Sequence, residues 1–201
     1  MRATRFTRAA AAAVIAAAIV SSSCGDAARR GQSSSQLTIM SIQTARGAGT
    51  VPSSFVNGPL LSDVQDTTGT IFDDFASVAM RVTLKDLGAP GVAAGPTVMN
   101  DVTVTRYRVA YRRSDGRNVE GVDVPRAFEG ALTLTIPAGT TGTVVIELVR
   151  HVAKLEAPLA ALRGNLNVLS TTAEITFFGR DQAGNNLSAS GNILVNFANF
   201  N

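Results

Sequence analysis

Residues 173–197 read AEITFFGRDQAGNNLSASGNILVNF, and this stretch decides the fold of the chain. Apolar residues recur at every second position over 173–177 and again over 193–197. Between these two runs, the segment DQAGNN at 181–186 contains the Asp, Gly and Asn residues that favour tight turns. Side chains two positions apart lie on the same face of a strand, so the pattern predicts two antiparallel strands that form a hairpin.

The same period of two continues through the rest of the chain, and short turn signals at 114–116 and 137–139 interrupt it. This spacing predicts one all-β domain over residues 37–201, an antiparallel sandwich of about eight or nine strands. The inward-facing positions place Leu134, Ile175 and Val195 in the core. The other alternating apolar runs are Val78, Met80, Val82 and Leu84; Leu132, Leu134 and Ile136; and Val144, Ile146 and Leu148.

Two segments resemble known sandwich families. Residues 104–116, VTRYRVAYRRSDG, resemble the central hairpin of fibronectin type III domains, in which a Tyr-x-Val-x-Tyr strand leads into an Asp-Gly turn. The hairpin at 173–195 resembles the closing hairpin of bacterial immunoglobulin-like domains. These resemblances imply an immunoglobulin-like or fibronectin type III-like sandwich, and they imply no particular activity, since a fold does not determine a function.

Residues 152–169 do not follow the alternation of the strands. Apolar residues are irregularly spaced there, and Pro158 lies in the middle of the segment. Proline interrupts regular backbone hydrogen bonding, so the segment is expected to be either a short helix or a long loop that breaks at Pro158.

The N-terminus has the pattern of an export signal. Arg2, Arg5 and Arg8 precede an apolar run from Ala9 to Val20, and the small residues 21–23 follow it. A basic start, a short apolar run and a small-residue exit predict a signal peptide over 1–23. A transmembrane helix needs about 20 apolar residues, so this run is too short to favour one.

Cys24 is the only cysteine, and it follows Ser22 and Ser23 directly. This arrangement resembles the lipobox of bacterial lipoproteins, although Ser21 stands where that family usually has an apolar residue. The resemblance implies cleavage before Cys24, lipidation of its thiol and attachment to a membrane. Gly25 implies the outer membrane if the host has two membranes. The alternative is a plain secretory signal with an incidental cysteine, which predicts a secreted or periplasmic protein.

Residues 24–36 are rich in Gly, Ser, Ala and Arg, and this composition predicts a flexible tether between the lipid and the domain. The chain has 18 Lys and Arg and 15 Asp and Glu, but loss of residues 1–23 would remove three arginines and no acid, leaving 15 of each sign. The predicted mature chain is therefore neutral. A nucleic-acid-binding domain is expected to carry a basic surface, so this class of function is not predicted.

The sequence contains few of the residues that usually serve in catalysis or in metal binding. His151 is the only histidine, at the end of an apolar strand, and no Gly-x-Ser-x-Gly motif is present. With one histidine and one cysteine, a zinc site of ordinary composition is not predicted. Asp63, Asp66, Asp73 and Asp74 could either bind calcium through their oxygens or serve as loop caps and turn formers. No cofactor and no catalytic residue are predicted.

Three functions stay open. The first is a non-enzymatic structural or interaction module, monomeric, that meets a partner through strand edges or through the loops Leu87–Pro96 and Asp181–Asn186. The second is a module that binds a carbohydrate or another surface ligand. Tyr107 and Tyr111 share a strand face, and they form a ligand platform if that face is exposed or core residues if it is buried. The third and least favoured is a hydrolase.

Overall fold

The computed structural model describes residues 33–86, 88, 89, 92, 93 and 95–200. The predicted signal peptide, Cys24 and most of the predicted tether lie outside these described residues. The first strand begins at Ser35, two residues before the start that the alternation predicts at Leu37. Ser33 and Ser35 are already buried, because the beginning of this strand packs against the domain.

The described part of the chain is built from two sheets, so the prediction of an all-β fold is confirmed. The strands are β1 (Ser35–Ala45), β2 (Leu60–Asp63), β3 (Asp74–Leu84), β4 (Gly88–Ala89), β5 (Val92–Ala93), β6 (Val102–Arg112), β7 (Phe128–Ile136), β8 (Thr141–Val149), β9 (Leu169–Asp181) and β10 (Asn186–Ala198). The smaller sheet has the order β1-β3-β8, the larger sheet has the order β2-β10-β9-β6-β7, and β4 and β5 form a separate short hairpin. Every pairing is antiparallel except that of β2 with β10.

The core lies between the two sheets and contains the alternate residues of each strand. Ile175 in β9 and Val195 in β10 are fully buried, as the alternation predicts, because removing apolar side chains from water drives the two sheet faces together. Leu134 is only half-buried, which differs from its predicted place in the core. The reason is its strand: β7 is the last strand of the larger sheet, so no further strand pairs with it on the outer side.

The segment after β8 combines the two predicted alternatives. A five-residue helix, α1 (His151–Leu155), is followed by a 3₁₀ turn at Leu159–Leu162, and Pro158 lies between them. Leu159 and Leu162 of the turn are buried and hold the segment against the domain. Among the described residues, no helix has both the length and the apolar character that a membrane crossing requires.

The two ends of the domain carry different elements. At the proximal end, where the described chain begins, Ser35 Oγ donates to the Asn100 carbonyl at 2.6 Å and Gln182 N donates to the Asp101 carbonyl at 3.1 Å. Ala138 N also donates to Asp101 Oδ1 at 2.9 Å, so the turns 137–140 and 181–186 both lie beside the start of β1. The distal end carries α1 and the loop before β3.

Candidate functional site

Tyr107 and Tyr111 are core residues, with only 5% and 4% of their surfaces exposed. Tyr111 donates its hydroxyl hydrogen to the Leu148 carbonyl at 2.6 Å. The ring of Tyr107 lies edge-on to Phe128 and so close to Gly130 that a Cβ there would stand 2.3 Å from a ring atom. The prediction of an exposed ligand platform is therefore wrong. Tyr107 and Tyr111 lie on a buried strand face, which was the alternative interpretation.

The burial of these rings has a measurable consequence at high pH. Burial raises the pKa of Tyr107, and burial together with the nearby Asp74 carboxylate raises the pKa of Tyr111. A raised pKa stabilises the fold below the unfolded value of about 10, and this contribution is lost as pH rises above that value. We expect phenolate absorbance to appear only as the circular-dichroism signal of the sheets disappears. Tyrosinate formation in a folded chain near pH 10 would contradict this expectation.

Three of the four aspartates that the sequence groups together, Asp63, Asp66 and Asp74, line one cavity of about 290 Å³ at the distal end, and each has partners within the protein. Asp66 caps its own turn by accepting from the backbone N–H of Thr68 at 2.8 Å and of Thr70 at 2.7 Å. Asp63 accepts from the backbone N–H of Phe200. In the described part of the chain, no group of three or more His, Cys, Asp or Glu side chains is placed to hold a metal ion. The described contacts of these aspartates are caps, such as that of Asp66, and ion pairs, such as those of Asp73 and Asp74.

Asp74 and Lys154 form an ion pair that is buried at the distal end. Their side chains are 2% and 1% exposed, and Lys154 Nζ lies 2.8 Å from Asp74 Oδ2. The carboxylate also accepts from Ser62 Oγ at 2.6 Å and from Gly47 N at 2.9 Å. Two hydrogen bonds and one cation thus offset the cost of burying this carboxylate. The arrangement joins β2, β3 and α1 and is a structural connection.

His151 lies at the first position of α1 and is half exposed, as a histidine at the end of a strand is expected to be. Its backbone N–H and its ring both contact Asp73, with Nδ1 at 2.8 Å from Asp73 Oδ1. Within the described residues, no Ser or Thr hydroxyl is hydrogen-bonded to the His151 ring. The contact therefore holds the start of α1 against the loop before β3.

The outer face of the larger sheet carries a groove that the sequence analysis did not find. We call it the arginine groove, and it is formed by Thr105, Arg106, Phe178, Arg180 and Asn186 around a cavity of about 470 Å³. The guanidinium of Arg106 stacks 3.9 Å from the centre of the Phe178 ring. Arg180 Nε donates to Asn186 Oδ1 at 2.9 Å. Two cations thus line one open surface.

A β-bulge in β6 builds this groove. Between Val104 and Arg106, β6 contains one residue more than β9, so Thr105 and Arg106 are both exposed on the outer face. Bulges redirect side chains in this way. Gly179 in β9 permits the close approach, because a Cβ there would lie 2.6 Å from the Thr103 carbonyl oxygen. The sequence does contain a signal for this bulge: the apolar residues shift from even to odd positions between Val104 and Tyr107.

The edges of β7 and β8 form a second distinctive surface. In the described residues β7 pairs only with β6, and β8 pairs only with β3. The two free edges border an opening of about 420 Å³ whose lining includes Ala131, Leu132, Val145 and Ile146. This surface combines unpaired backbone with apolar side chains.

The two loops predicted to meet a partner both belong to the proximal end. Asp181 folds its carboxylate back onto its own turn and accepts from Asn185 N at 2.8 Å. Of Leu87–Pro96, the structure describes the paired residues of β4 and β5, together with Gly95 and Pro96. Both loops lie at the end where the described chain begins.

Comparison with protein-family models, with curated proteins and with solved structures finds no match to this chain. The interpretation of its surfaces therefore rests on their own geometry and chemistry.

Proposed function

We propose that this chain is an exported, lipid-anchored protein of the bacterial cell envelope that acts as a monomeric, non-enzymatic interaction module. The basic start, the apolar run and the small residues that lead into Cys24 support export and lipidation. Gly25 supports the outer membrane where the host has two membranes. Eight residues lie between Cys24 and Ser33. Nine steps along the chain reach at most about 32 Å, so the lipid would hold the proximal end close to the membrane.

The proposed domain is an immunoglobulin-like or fibronectin type III-like sandwich. Its strand order supports this assignment, because β1-β3-β8 and β10-β9-β6-β7 follow the chain in the same way as strands A-B-E and G-F-C-C′ of immunoglobulin folds. The short parallel strand β2 extends the second sheet, which curls into a half-barrel.

The observation that carries the interaction function is the pair of free edges on β7 and β8. Free edges recruit an extended partner segment through backbone hydrogen bonds, and neighbouring pockets select its side chains. The half-buried Leu132 and Leu134 lie along β7, and the exposed Val145 lies on β8. Charged residues usually protect such edges. Each of the two strands carries a single charged side chain, Glu129 at the distal end of β7 and Glu147 near the distal end of β8, where it lines the opening.

The test is crosslinking in intact cells, combined with mass spectrometry of the chain from the membrane fraction. We expect an N-terminus that starts at Cys24 and carries a lipid, and a crosslinked partner protein. Thr133→Lys places a charge on the exposed edge of β7, so it is expected to abolish the crosslink. Asn192→Lys is the matched control, because Asn192 is exposed on β10, on the opposite side of the larger sheet from β7.

Two results would contradict the proposal separately. An unmodified N-terminus in the membrane fraction would reject lipid anchoring and leave the contact function standing. A crosslink that survives in Thr133→Lys would reject the free edge as the docking surface.

A specific observation favours the alternative function, binding of a carbohydrate or another surface ligand. Tyr107 and Tyr111 cannot serve it because they are buried. The arginine groove can serve it instead, since it is open, polar and lined by an aromatic ring.

A further inference from the structure

The surroundings of the arginine groove carry an excess of positive charge. Arg106 Nη1 lies 2.8 Å from Glu129, and Arg108 Nη1 lies 3.8 Å from the same carboxylate. Arg180 has no carboxylate within ion-pair distance among the described residues. Three arginines therefore face one glutamate on this part of the sheet. The local imbalance stands out because the predicted mature chain as a whole is neutral.

The two guanidiniums that line the groove are held in place before any ligand arrives. The Phe178 ring and Glu129 hold Arg106, and Asn186 holds the Nε of Arg180. Ordering long side chains in advance reduces the entropy that a ligand must offset on binding. The planar guanidinium also matches the two oxygens of a carboxylate or sulfate group. The geometry thus suits an oxyanion.

The neighbouring side chains indicate the class of ligand to which this oxyanion belongs. Thr105 and Asn186 line the groove, and Gln182 and Thr103 form a hydrogen-bonded pair next to it. Hydroxyl and amide groups of this kind bind the hydroxyls of sugars. We infer that the arginine groove binds an acidic saccharide, with Arg106 and Arg180 holding its carboxylate or sulfate group. This binding is independent of the free edges of β7 and β8.

The test is isothermal titration of the full chain, purified in detergent, with trigalacturonic acid and with a neutral galactose trisaccharide. We expect the acidic trisaccharide to bind at least about tenfold more tightly, because charge-assisted hydrogen bonds are the stronger ones. Arg180→Gln and Arg106→Gln are each expected to weaken binding about tenfold, and added salt weakens it further. Phe178→Leu is expected to weaken it without any change in charge.

Arg112→Gln is the matched control, since Arg112 lies on the same strand, is well exposed and pairs with Glu174 at 2.8 Å. It is expected to bind as the unmodified chain does. Equal affinity for the two trisaccharides, no binding of either, or an unchanged Arg180→Gln variant would overturn the proposal. Tighter binding of inorganic phosphate, an acidic peptide or phosphatidylglycerol vesicles than of trigalacturonic acid would overturn the saccharide assignment.

Discussion

Replacing Lys154 by methionine is expected to lower the free energy of unfolding by about 3–5 kcal/mol, the usual cost of removing one partner from a buried ion pair. The variant leaves the carboxylate of Asp74 in the interior, where only Ser62 and Gly47 still donate to it. Methionine fills much of the volume of lysine, so the expected loss of stability comes from the removal of the charge. Denaturant unfolding of the variant and the unmodified chain measures the difference.

Lys85→Met is the matched control, because Lys85 is the other lysine of the chain and is exposed. Exposed substitutions usually change stability by no more than about 0.5 kcal/mol. The double variant Lys154→Met, Asp74→Leu removes both charges and is expected to recover much of the loss. A loss below about 1 kcal/mol in Lys154→Met would show that this pair is not buried in solution.

Replacing Ile175 by aspartate is expected to cost several kcal/mol and to prevent stable folding of the domain. Ile175 is fully buried in β9, which pairs with β6 on one side and β10 on the other. The new carboxylate would be surrounded by apolar side chains and would have no cation beside it. Circular dichroism and thermal unfolding report the loss of the sheets directly.

Leu134→Asp provides the comparison, since it makes a similar chemical change on the edge strand β7. Leu134 is half-buried, so its aspartate can stay in contact with water. We expect it to cost less than half as much as Ile175→Asp. An equal loss in both variants would indicate that Leu134 is fully buried in solution.

The comparison of Ile175 with Leu134 shows the limit of what the alternation of apolar residues can predict. Ile175 and Leu134 occupy equivalent positions in their runs, and both were predicted to lie in the core. Alternation shows which face of a strand a side chain occupies. Alternation does not show whether other strands cover that face. The coverage depends on the place of the strand in the sheet, at the centre or at the edge.

The same limit applies to the polar residues. Asp73 and Asp74 are adjacent in the sequence, yet one caps an exposed histidine and the other lies in a buried ion pair. Their partners lie about eighty positions later, in α1. No local spacing connects the two segments, so the pairing could not be predicted.

The sequence by itself determined the fold class, the hairpin at 173–197 and the fully buried residues of β9 and β10, and it predicts an export signal. These follow from side-chain periodicity, turn residues and composition, which are local properties. Only the tertiary structure decided that Lys154 meets Asp74, that β7 and β8 end with free edges, and that Arg106 and Arg180 share one groove. Each of these depends on segments distant in the chain that meet when the sheets pair and pack. Many arrangements of the same strands satisfy the same local pattern, and the total burial and pairing of the whole chain select among them.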